Sequence, residues 1–231
     1  MYGNFMKGSL IDLFFPRFCL GCGFIGIYIC PICESKMEKV KDSVCFYCGR
    51  PSFLGFTHPR CRHQKGIDGF LSIYSYNGLF RKLLQESKYK GAYAVLYTLL
   101  AFFHQRAFRN LKKWNNLFRP IITSVPLHMQ RIRERGFNQS DIIVEQYFGH
   151  KLINLHILER TTDTAHLANI KNKNNRESHV RAAFTFVGNS VPKTVLLVDD
   201  VVTSGSTISE CSKTLKENGV QTVLAFSLAR G

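Results

Sequence analysis

The sequence has no long hydrophobic run. Nowhere in its 231 residues do about 18 apolar side chains follow one another, the length that a helix needs to cross a bilayer. The most apolar stretch, AYAVLYTLLAFF at 92–103, is shorter and predicts a buried helix. Residues 1–16, MYGNFMKGSLIDLFFP, have one lysine and no small-residue cleavage site, so they do not match a signal peptide, and residues 6–15 predict a short amphipathic helix. We therefore expect a cytoplasmic protein without a membrane span.

Acidic side chains are scarce. The chain has 16 aspartates and glutamates against 31 lysines and arginines, which gives a net charge of +15. This excess indicates a polyanionic partner or substrates that carry several phosphates. The basic residues are spread through the middle of the chain, and no low-complexity segment or internal repeat occurs beyond the paired cysteine motifs.

Cysteine is almost absent from the second half of the chain. Cys211 alone follows residue 61, on the apolar face of a predicted helix, where we expect it in the core. The other seven form three CxxC pairs and a single residue: Cys19, Cys22, Cys30, Cys33, Cys45, Cys48 and Cys61. Each CxxC pair offers two thiolates at the angle that tetrahedral Zn²⁺ requires. A disulfide module is the alternative, but it would need a secreted protein. The spacing predicts a structural zinc module whose folding energy comes from the metal.

Two zinc sites are expected. The first would use Cys19, Cys22, Cys30 and Cys33. The second has three cysteines and needs a fourth ligand, for which His58 and His63 are both close to Cys61. We favour His63 because it follows that cysteine. A degenerate second half without metal and an interleaved pairing of the CxxC pairs are the alternatives.

Residues 195–208, VLLVDDVVTSGSTI, predict a buried strand, a small polar loop and a helix. Ser206 or Thr207 is expected to cap the helix. Such a loop turns backbone N–H groups toward one point at a helix N-terminus, which attracts a phosphate. It is not a Walker loop, because no lysine precedes its last Ser/Thr.

The carboxylates of Asp199 and Asp200 stand directly before this loop. Carboxylates accept hydrogen bonds from hydroxyl groups and bind Mg²⁺. A ligand with a phosphate at one end and a diol a few ångströms away is a ribose phosphate. The alternative is a strand end with solvated carboxylates and an ordinary capped loop.

A second candidate anion site follows a second buried strand, IITSV at 121–125. Ligands of open α/β sheets bind beyond the carboxyl ends of the strands. The segment after this strand is therefore expected to be a mobile loop, freed by Gly136, that holds a pyrophosphate with Arg131, Arg133 and Arg135. Asn138 or Ser140 is then expected to cap a further helix. A solvated basic helix face is the alternative.

The sequence pattern changes after Gly66, beyond the paired cysteine motifs, so we predict two domains. Residues 1–66 would hold an N-terminal helix and a double zinc ribbon, and residues 67–231 an α/β domain. In the second domain the sequence predicts strands at 70–76 and 222–231 and helices at 79–89 and 92–108.

Two of these motifs resemble known families. Residues 195–208 closely resemble the phosphoribosyl pyrophosphate (PRPP) fingerprint of type I phosphoribosyltransferases. VPLHMQRIRERGFNQS at 125–140, KYKG at 88–91 and the block at 160–184 together resemble the ComF family of competence-associated proteins, over nearly all of the chain. The family's second zinc half usually ends in CxxC, whereas Gln64 stands at that spacing after Cys61.

The resemblance implies a type I phosphoribosyltransferase fold, a Rossmann-like parallel α/β sheet, with a small N-terminal zinc-ribbon module. It implies that Asp199 and Asp200 hold the ribose hydroxyls of PRPP together with Mg²⁺, and that Arg131, Arg135 and Lys88 contact the ligand. The 5′-phosphate would be held by Thr203, Ser204, Gly205, Ser206 and Thr207.

The resemblance leaves two functions open, because the sequence has no base-recognition motif. One is a phosphoribosyltransferase acting in DNA uptake. The other is a non-catalytic, PRPP-sensing protein that binds single-stranded DNA and works with DNA-uptake proteins. Aromatic residues of the zinc module could stack on bases, although we favour them as its small core: Phe46, Tyr47, Phe53 and Phe56.

Overall fold

The computed structural model describes residues 16–40, 42–88, 93–101, 105–148, 157–161 and 183–231. They divide into two compact units, one from the described parts of 1–38 and 77–103, the other from those of 39–76 and 104–231. The boundary predicted between residues 66 and 67 stays a prediction. The predicted helix at 6–15 and almost all of the block at 160–184 lie outside the described residues.

The first unit contains the first two CxxC pairs and three helices. Its helices are α1 (Pro31–Ser35), α2 (Gly78–Glu86) and α3 (Tyr93–Ala101). A Cβ at Gly21 would lie 2.7 Å from Cys33 Sγ and 3.0 Å from Leu79 Cδ2, so this segment packs on α2 with no room for a side chain there. Lys82 Nζ donates to the carbonyl of Leu20 at 2.9 Å.

The second unit is built on a parallel sheet. Its described strands are β1 (Gly69–Ser75), β2 (Ile121–Ser124), β3 (Leu158–Arg160), β4 (Phe184–Phe186), β5 (Thr194–Val202) and β6 (Thr222–Arg230). Four of them pair side by side in the order β1-β6-β5-β2, with every neighbour parallel. β3 and β4 form a separate antiparallel ribbon. The α/β class with a parallel sheet is therefore confirmed.

The helices of the second unit cover this sheet. They are α4 (Gln105–Phe118), α5 (Met129–Arg135), α6 (Gln139–Phe148) and α7 (Ser206–Glu217). The core position predicted for Cys211 on the apolar face of α7 is confirmed. Ile208, Cys211 and Leu215 are at most 1% exposed and belong to one core with the sheet. The two central strands are buried along almost their whole length, as continuous apolar runs require.

The helical region predicted at 92–108 differs in its bounds. Helical structure occupies 93–101 and then 105–118, so it extends beyond the predicted end. The extension places Trp114 in the core, where Phe56 stacks on it with 6.0 Å between ring centroids. Among the described residues, no helix has the length and apolarity to cross a membrane.

Two zinc clusters and a candidate phosphate site

The first cysteine cluster brings together Cys19, Cys22, Cys30 and Cys33, whose sulfur atoms all lie within 4.8 Å of one another. Cys22 Sγ and Cys30 Sγ are 3.7 Å apart, well beyond the ~2.05 Å of a disulfide. All eight cysteines of the chain are free. The geometry is that of a tetrahedral metal site rather than of a disulfide module.

The surroundings within this cluster shift the pKa values of its thiols. Burial raises the pKa of the Cys19 thiol, but backbone N–H groups of Cys30, Cys22 and Gly21 outweigh it and bring the pKa to about 6. Burial and the neighbouring thiols raise the pKa of Cys33 to about 12. Four thiolates so close together repel, and a divalent cation at their centre removes that repulsion. The donor set therefore fits zinc.

The second cluster contains Cys45, Cys48, His58 and Cys61, again within 4.8 Å. His58 Nδ1 lies 3.3 Å from Cys48 Sγ, and its Nε2 lies 3.1 Å from the carbonyl of Pro51. Metal-bound histidines typically donate their other ring N–H to a carbonyl, which fixes the tautomer and the ring orientation. The cluster thus has four ligands of the types that zinc prefers, and the pairs do not interleave.

This arrangement corrects the choice of His63 as the fourth ligand. His63 is exposed and packs edge-to-face on Tyr47, with 5.0 Å between ring centroids. The sequence did contain the right signal. His58-x-x-Cys61 has the spacing of a CxxC pair with histidine in place of the first cysteine, so that two equivalent pairs face each other in both sites.

Three of the four aromatic residues singled out in the zinc module are packed. Phe46 and Tyr47 meet edge-to-face at 5.1 Å, Tyr47 Oη accepts from the N–H of Ile67 at 2.9 Å, and Phe56 stacks on Trp114. Phe53 differs, since it is 80% exposed. The expectation of a small aromatic core therefore holds for three of the four.

The loop after β5 has the predicted strand–loop–helix order. β5 ends at Val202 and α7 begins at Ser206, so Ser206 is the first helical residue. The cap position belongs to Gly205, with φ +76° and no side-chain cap, which corrects the expectation that Ser206 or Thr207 caps the helix. Within the loop, Ser204 Oγ lies 3.0 Å from Ser206 Oγ. A left-handed residue here suits glycine, which has no Cβ penalty.

A small cavity of about 60 Å³ lies in the curve of this loop. That volume is several times the ~10–15 Å³ that one water needs, so a group larger than a water fits. Asp199 lines the cavity together with the loop and the first turn of α7: Val201, Val202, Thr203, Ser204, Gly205, Ser206, Thr207 and Ile208. The structure thus brings Asp199 and all five predicted phosphate-binding residues to one place.

The two carboxylates are held by different partners. Asp199 Oδ1 accepts from Ser140 Oγ at 3.1 Å and from the N–H of Asp200 at 2.9 Å. Asp200 is 9% exposed, and its Oδ1 accepts from the N–H of Val201 at 2.7 Å. Ser140 is the second residue of α6, whose N-terminus is capped by Asn138 Oδ1 accepting from the Ser140 N–H at 3.1 Å. The predicted cap by Asn138 is therefore confirmed.

The arginines after β2 lie on a helix rather than in a mobile loop, which corrects that expectation. α5 begins after His128, whose Nδ1 accepts from the N–H of Gln130 at 3.4 Å. Gly136 ends the helix with φ +86°, so its role is to stop α5. The sequence MQRIRER consists of good helix formers, which explains why this segment winds.

The helix gives the arginines different surroundings. Arg131 Nη1 pairs with Glu134 Oε2 at 3.4 Å on the surface, and Arg133 is exposed. Arg135 is half-buried, and its Nη1 donates to Gln139 Oε1 at 3.2 Å. Burial lowers the pKa of Arg135, while the charge of Asp200 acts in the opposite direction. Among the predicted basic residues, Arg135 thus lies within the electrostatic influence of Asp200.

Two further residues complete the description. Lys88 lies just after α2 in the first unit, where its N–H donates to the carbonyl of Gln85 at 3.1 Å. Gln139 is buried, and its Nε2 has no partner among the described residues. The sequence gave no reason to single out Gln139, because its burial depends on how α6 packs against the sheet.

Comparison with known proteins supports the zinc module and identifies the family of the chain. The model of the double zinc ribbon domain matches residues 10–63. The chain is 30% identical over 229 residues to "Competence protein F" of Haemophilus influenzae, covering 94% of this chain and 98% of that protein. The chain belongs to the ComF family.

Other ComF-family relatives are similar over most of their length. "Competence protein ComFC" of Streptococcus pneumoniae is 28% identical over 205 residues, covering 87% of each chain. "DNA utilization protein YhgH" of Salmonella typhimurium is 28% identical over 214 residues, covering 87% of this chain and 90% of that protein. The double zinc ribbon and the two four-ligand clusters together identify structural zinc as part of this ComF-family protein.

Proposed function

We propose that this ComF-family protein binds PRPP with Mg²⁺ at the loop after β5 and acts in DNA uptake during natural competence. The observation that carries the PRPP proposal is the single cavity shared by Asp199 and residues 203–207, at the N-terminus of α7. The names of the relatives, which refer to competence and to DNA utilization, support the cellular role.

The backbone of the loop and the N-terminus of α7 would bind the 5′-phosphate, because N–H groups and the helix dipole both favour an anion there. Asp199 and Asp200 would accept hydrogen bonds from the ribose hydroxyls. Their oxygen atoms also fit Mg²⁺, which would neutralise part of the charge on the pyrophosphate. The ribose keeps the carboxylates apart from the phosphate, which they would otherwise repel.

Transfer of the phosphoribosyl group would use the same residues. The bond between ribose C1 and the pyrophosphate oxygen breaks, a bond from C1 to the acceptor forms, and pyrophosphate leaves with the bonding electrons. Asp199 and Asp200 would favour the positive charge that develops on the ring, and Arg135, with Arg131, would balance the leaving pyrophosphate. This is positioning and electrostatic stabilisation without a protein nucleophile.

Isothermal titration with PRPP, with and without Mg²⁺, tests the binding step. We expect saturable binding of PRPP that strengthens with Mg²⁺, and weaker binding of ribose 5-phosphate, which lacks the pyrophosphate. Inorganic pyrophosphate is the control for a purely electrostatic attraction to a basic protein. Absence of PRPP binding at millimolar concentration would exclude the proposed site.

The second candidate function is binding of single-stranded DNA without transfer. Phe53 favours it, because a large aromatic side chain that is 80% exposed on a protein of net charge +15 is suited to base stacking. Release of pyrophosphate from PRPP with candidate acceptors distinguishes an enzyme from a sensor. DNA affinity measured with and without PRPP then tells whether PRPP regulates DNA binding.

A further inference from the structure

The segment of the second zinc cluster contacts the loop at residues 203–207, which we call the phosphate loop, through one side chain. Phe46 lies between the zinc ligands Cys45 and Cys48, and its ring rests on the backbone of Gly205. A Cβ added at Gly205 would lie 2.5 Å from Phe46 Cζ and 3.2 Å and 3.3 Å from its two Cε atoms. Such distances leave no space for any side chain, so glycine at this position is required by the ring as well as by its φ of +76°.

The ring of Phe46 also packs against residues of the sheet and the core. It meets Phe70 of β1 edge-to-face, with 5.4 Å between centroids, and packs against the core that includes Val202 and Ile208. Those two residues flank the phosphate loop on either side. Phe46 therefore contacts the loop at Gly205 and packs against the same core as the residues on either side of the loop.

The backbone of Phe46 is tied to the sheet next to the loop. Its carbonyl accepts from Arg230 Nη2 at 3.4 Å, and the Arg230 guanidinium lies over the Phe70 ring, 5.6 Å from the centroid. Arg230 pairs in register with Val202, the last residue of β5. A shift of the segment 45–48 would therefore be transmitted to the strand end as well as to Gly205.

The position of this segment depends on the second metal site. Cys45 and Cys48 are held to His58 and Cys61 by coordination when zinc is bound, and by no covalent link without it. Metal sites of this kind supply the folding energy of their own segments. Loss of zinc would release both ends of the two-residue bridge that carries Phe46.

We propose that zinc at the second site sets the conformation of the phosphate loop, with Phe46 as the positioning residue between them. The occupant of the loop rests on the proposed function, whereas the coupling between metal site and loop does not. If the loop binds a phosphate ligand, zinc and that ligand bind with positive coupling. Because such coupling is reciprocal, each then tightens the other by the same factor.

Hydrogen exchange of the ligand-free protein tests the coupling directly. In His58→Ala, the backbone amides of residues 203–209 should exchange faster than in the wild type, although His58 is not among the residues that line the cavity of the loop. Phe46→Ala should have the same effect with the second zinc still bound. Phe53→Ala, which removes an exposed aromatic ring of the same module, should leave the loop unchanged.

The double variant with both His58→Ala and Phe46→Ala tests whether the loss of zinc affects the loop through Phe46 or through a general loosening of the protein. If Phe46 carries the effect, adding His58→Ala to Phe46→Ala gives no further rise in loop exchange. Additive effects, or loop exchange that neither variant changes, would overturn the proposal. Amides of β6 serve as the control for global unfolding. If they exchange faster in Phe46→Ala, Phe46→Leu takes the place of Phe46→Ala in the same comparison of single and double variants.

Ribose 5-phosphate separates this proposal from the proposed function. If the wild type binds it, His58→Ala should weaken it by about 5- to 150-fold, the usual range of such coupling, and ribose 5-phosphate should tighten the second zinc of the wild type. Ribose 5-phosphate affinity that His58→Ala leaves unchanged would contradict the coupling. If the wild type binds neither ribose 5-phosphate nor PRPP, the proposed function fails, and the exchange cycle still decides whether zinc controls the loop.

Discussion

His58 occupies the position that the first cysteine of a CxxC pair holds in the other three pairs. Its Nδ1 faces Cys48 Sγ, and the Pro51 carbonyl holds its Nε2. Removal of one ligand from a four-ligand zinc site weakens metal binding, whereas removal of a nearby surface residue does not.

We therefore expect two zinc ions per chain in the wild type and about one in His58→Ala, because the remaining three thiols hold the metal less tightly. His63→Ala is the matched control and should retain both. His58→Cys, which restores a CxxC pair, should also retain both. Elemental analysis of protein purified without added zinc measures the stoichiometry. Equal zinc in His58→Ala and the wild type, with a loss in His63→Ala, would reassign the ligand.

Asp200→Asn tests the carboxylate pair. The side chain is nearly buried and accepts from the N–H of Val201, a bond that an amide oxygen can also accept, so the melting temperature should change little. PRPP binding should weaken by roughly 10- to 100-fold, since hydrogen bonds to charged groups contribute about 1.5–3 kcal/mol. Calorimetry of both proteins provides the comparison. Unchanged affinity would remove Asp200 from the ligand site.

Among the structural elements, the four strands of the parallel sheet and the cysteine pairs could be predicted from the sequence, because each has a local signal. A continuous apolar run marks a strand buried on both faces, and CxxC marks a zinc pair. The helix α5 also had such a signal, in the cap at His128 and the stop at Gly136, but its arginines suggested a loop. The contact of Phe46 with Gly205 could not be predicted, since it joins residues far apart in the chain whose distance only the packed sheet defines.

The position of α5 sharpens the expectation for its arginines. Arg135 is half-buried and experiences the charge of Asp200, whereas Arg131 is paired with Glu134 at the surface. Arg135→Ala should weaken PRPP binding by roughly 2–5 kcal/mol, the cost of losing a charged contact to a desolvated anion. Arg131→Ala should cost about 1 kcal/mol or less, as surface ion pairs do.

Arg133→Ala, on the exposed face of the same helix, is the control for a general loss of positive charge. The same titrations with ribose 5-phosphate identify what Arg135 contacts. A much smaller loss for ribose 5-phosphate than for PRPP places the pyrophosphate at Arg135. Equal losses for the two ligands would mean that α5 does not hold the pyrophosphate.

The whole molecule carries a net charge of +15, which the sequence alone predicts, and exposes the Phe53 ring of its zinc module, which the sequence could not single out. Charge of this kind predicts sequence-tolerant binding to single-stranded DNA whose log–log salt slope is about −0.7 for each phosphate neutralised. Phe53→Ala should lower the affinity by about 1–3 kcal/mol if a base stacks on the ring, and should leave the slope unchanged. Fluorescence anisotropy at several salt concentrations gives both quantities. Affinity that does not fall with salt would restrict the charge to small anions.

The PRPP site itself is tested most directly by a crystal structure of the wild-type protein with PRPP and Mg²⁺. We predict the 5′-phosphate in the cavity after β5, with its oxygen atoms about 2.7–3.2 Å from the backbone nitrogens of residues 204–207. The ribose hydroxyls should face Asp199 and Asp200. PRPP bound elsewhere on the protein, or no ligand in crystals grown with millimolar PRPP, would contradict the central claim.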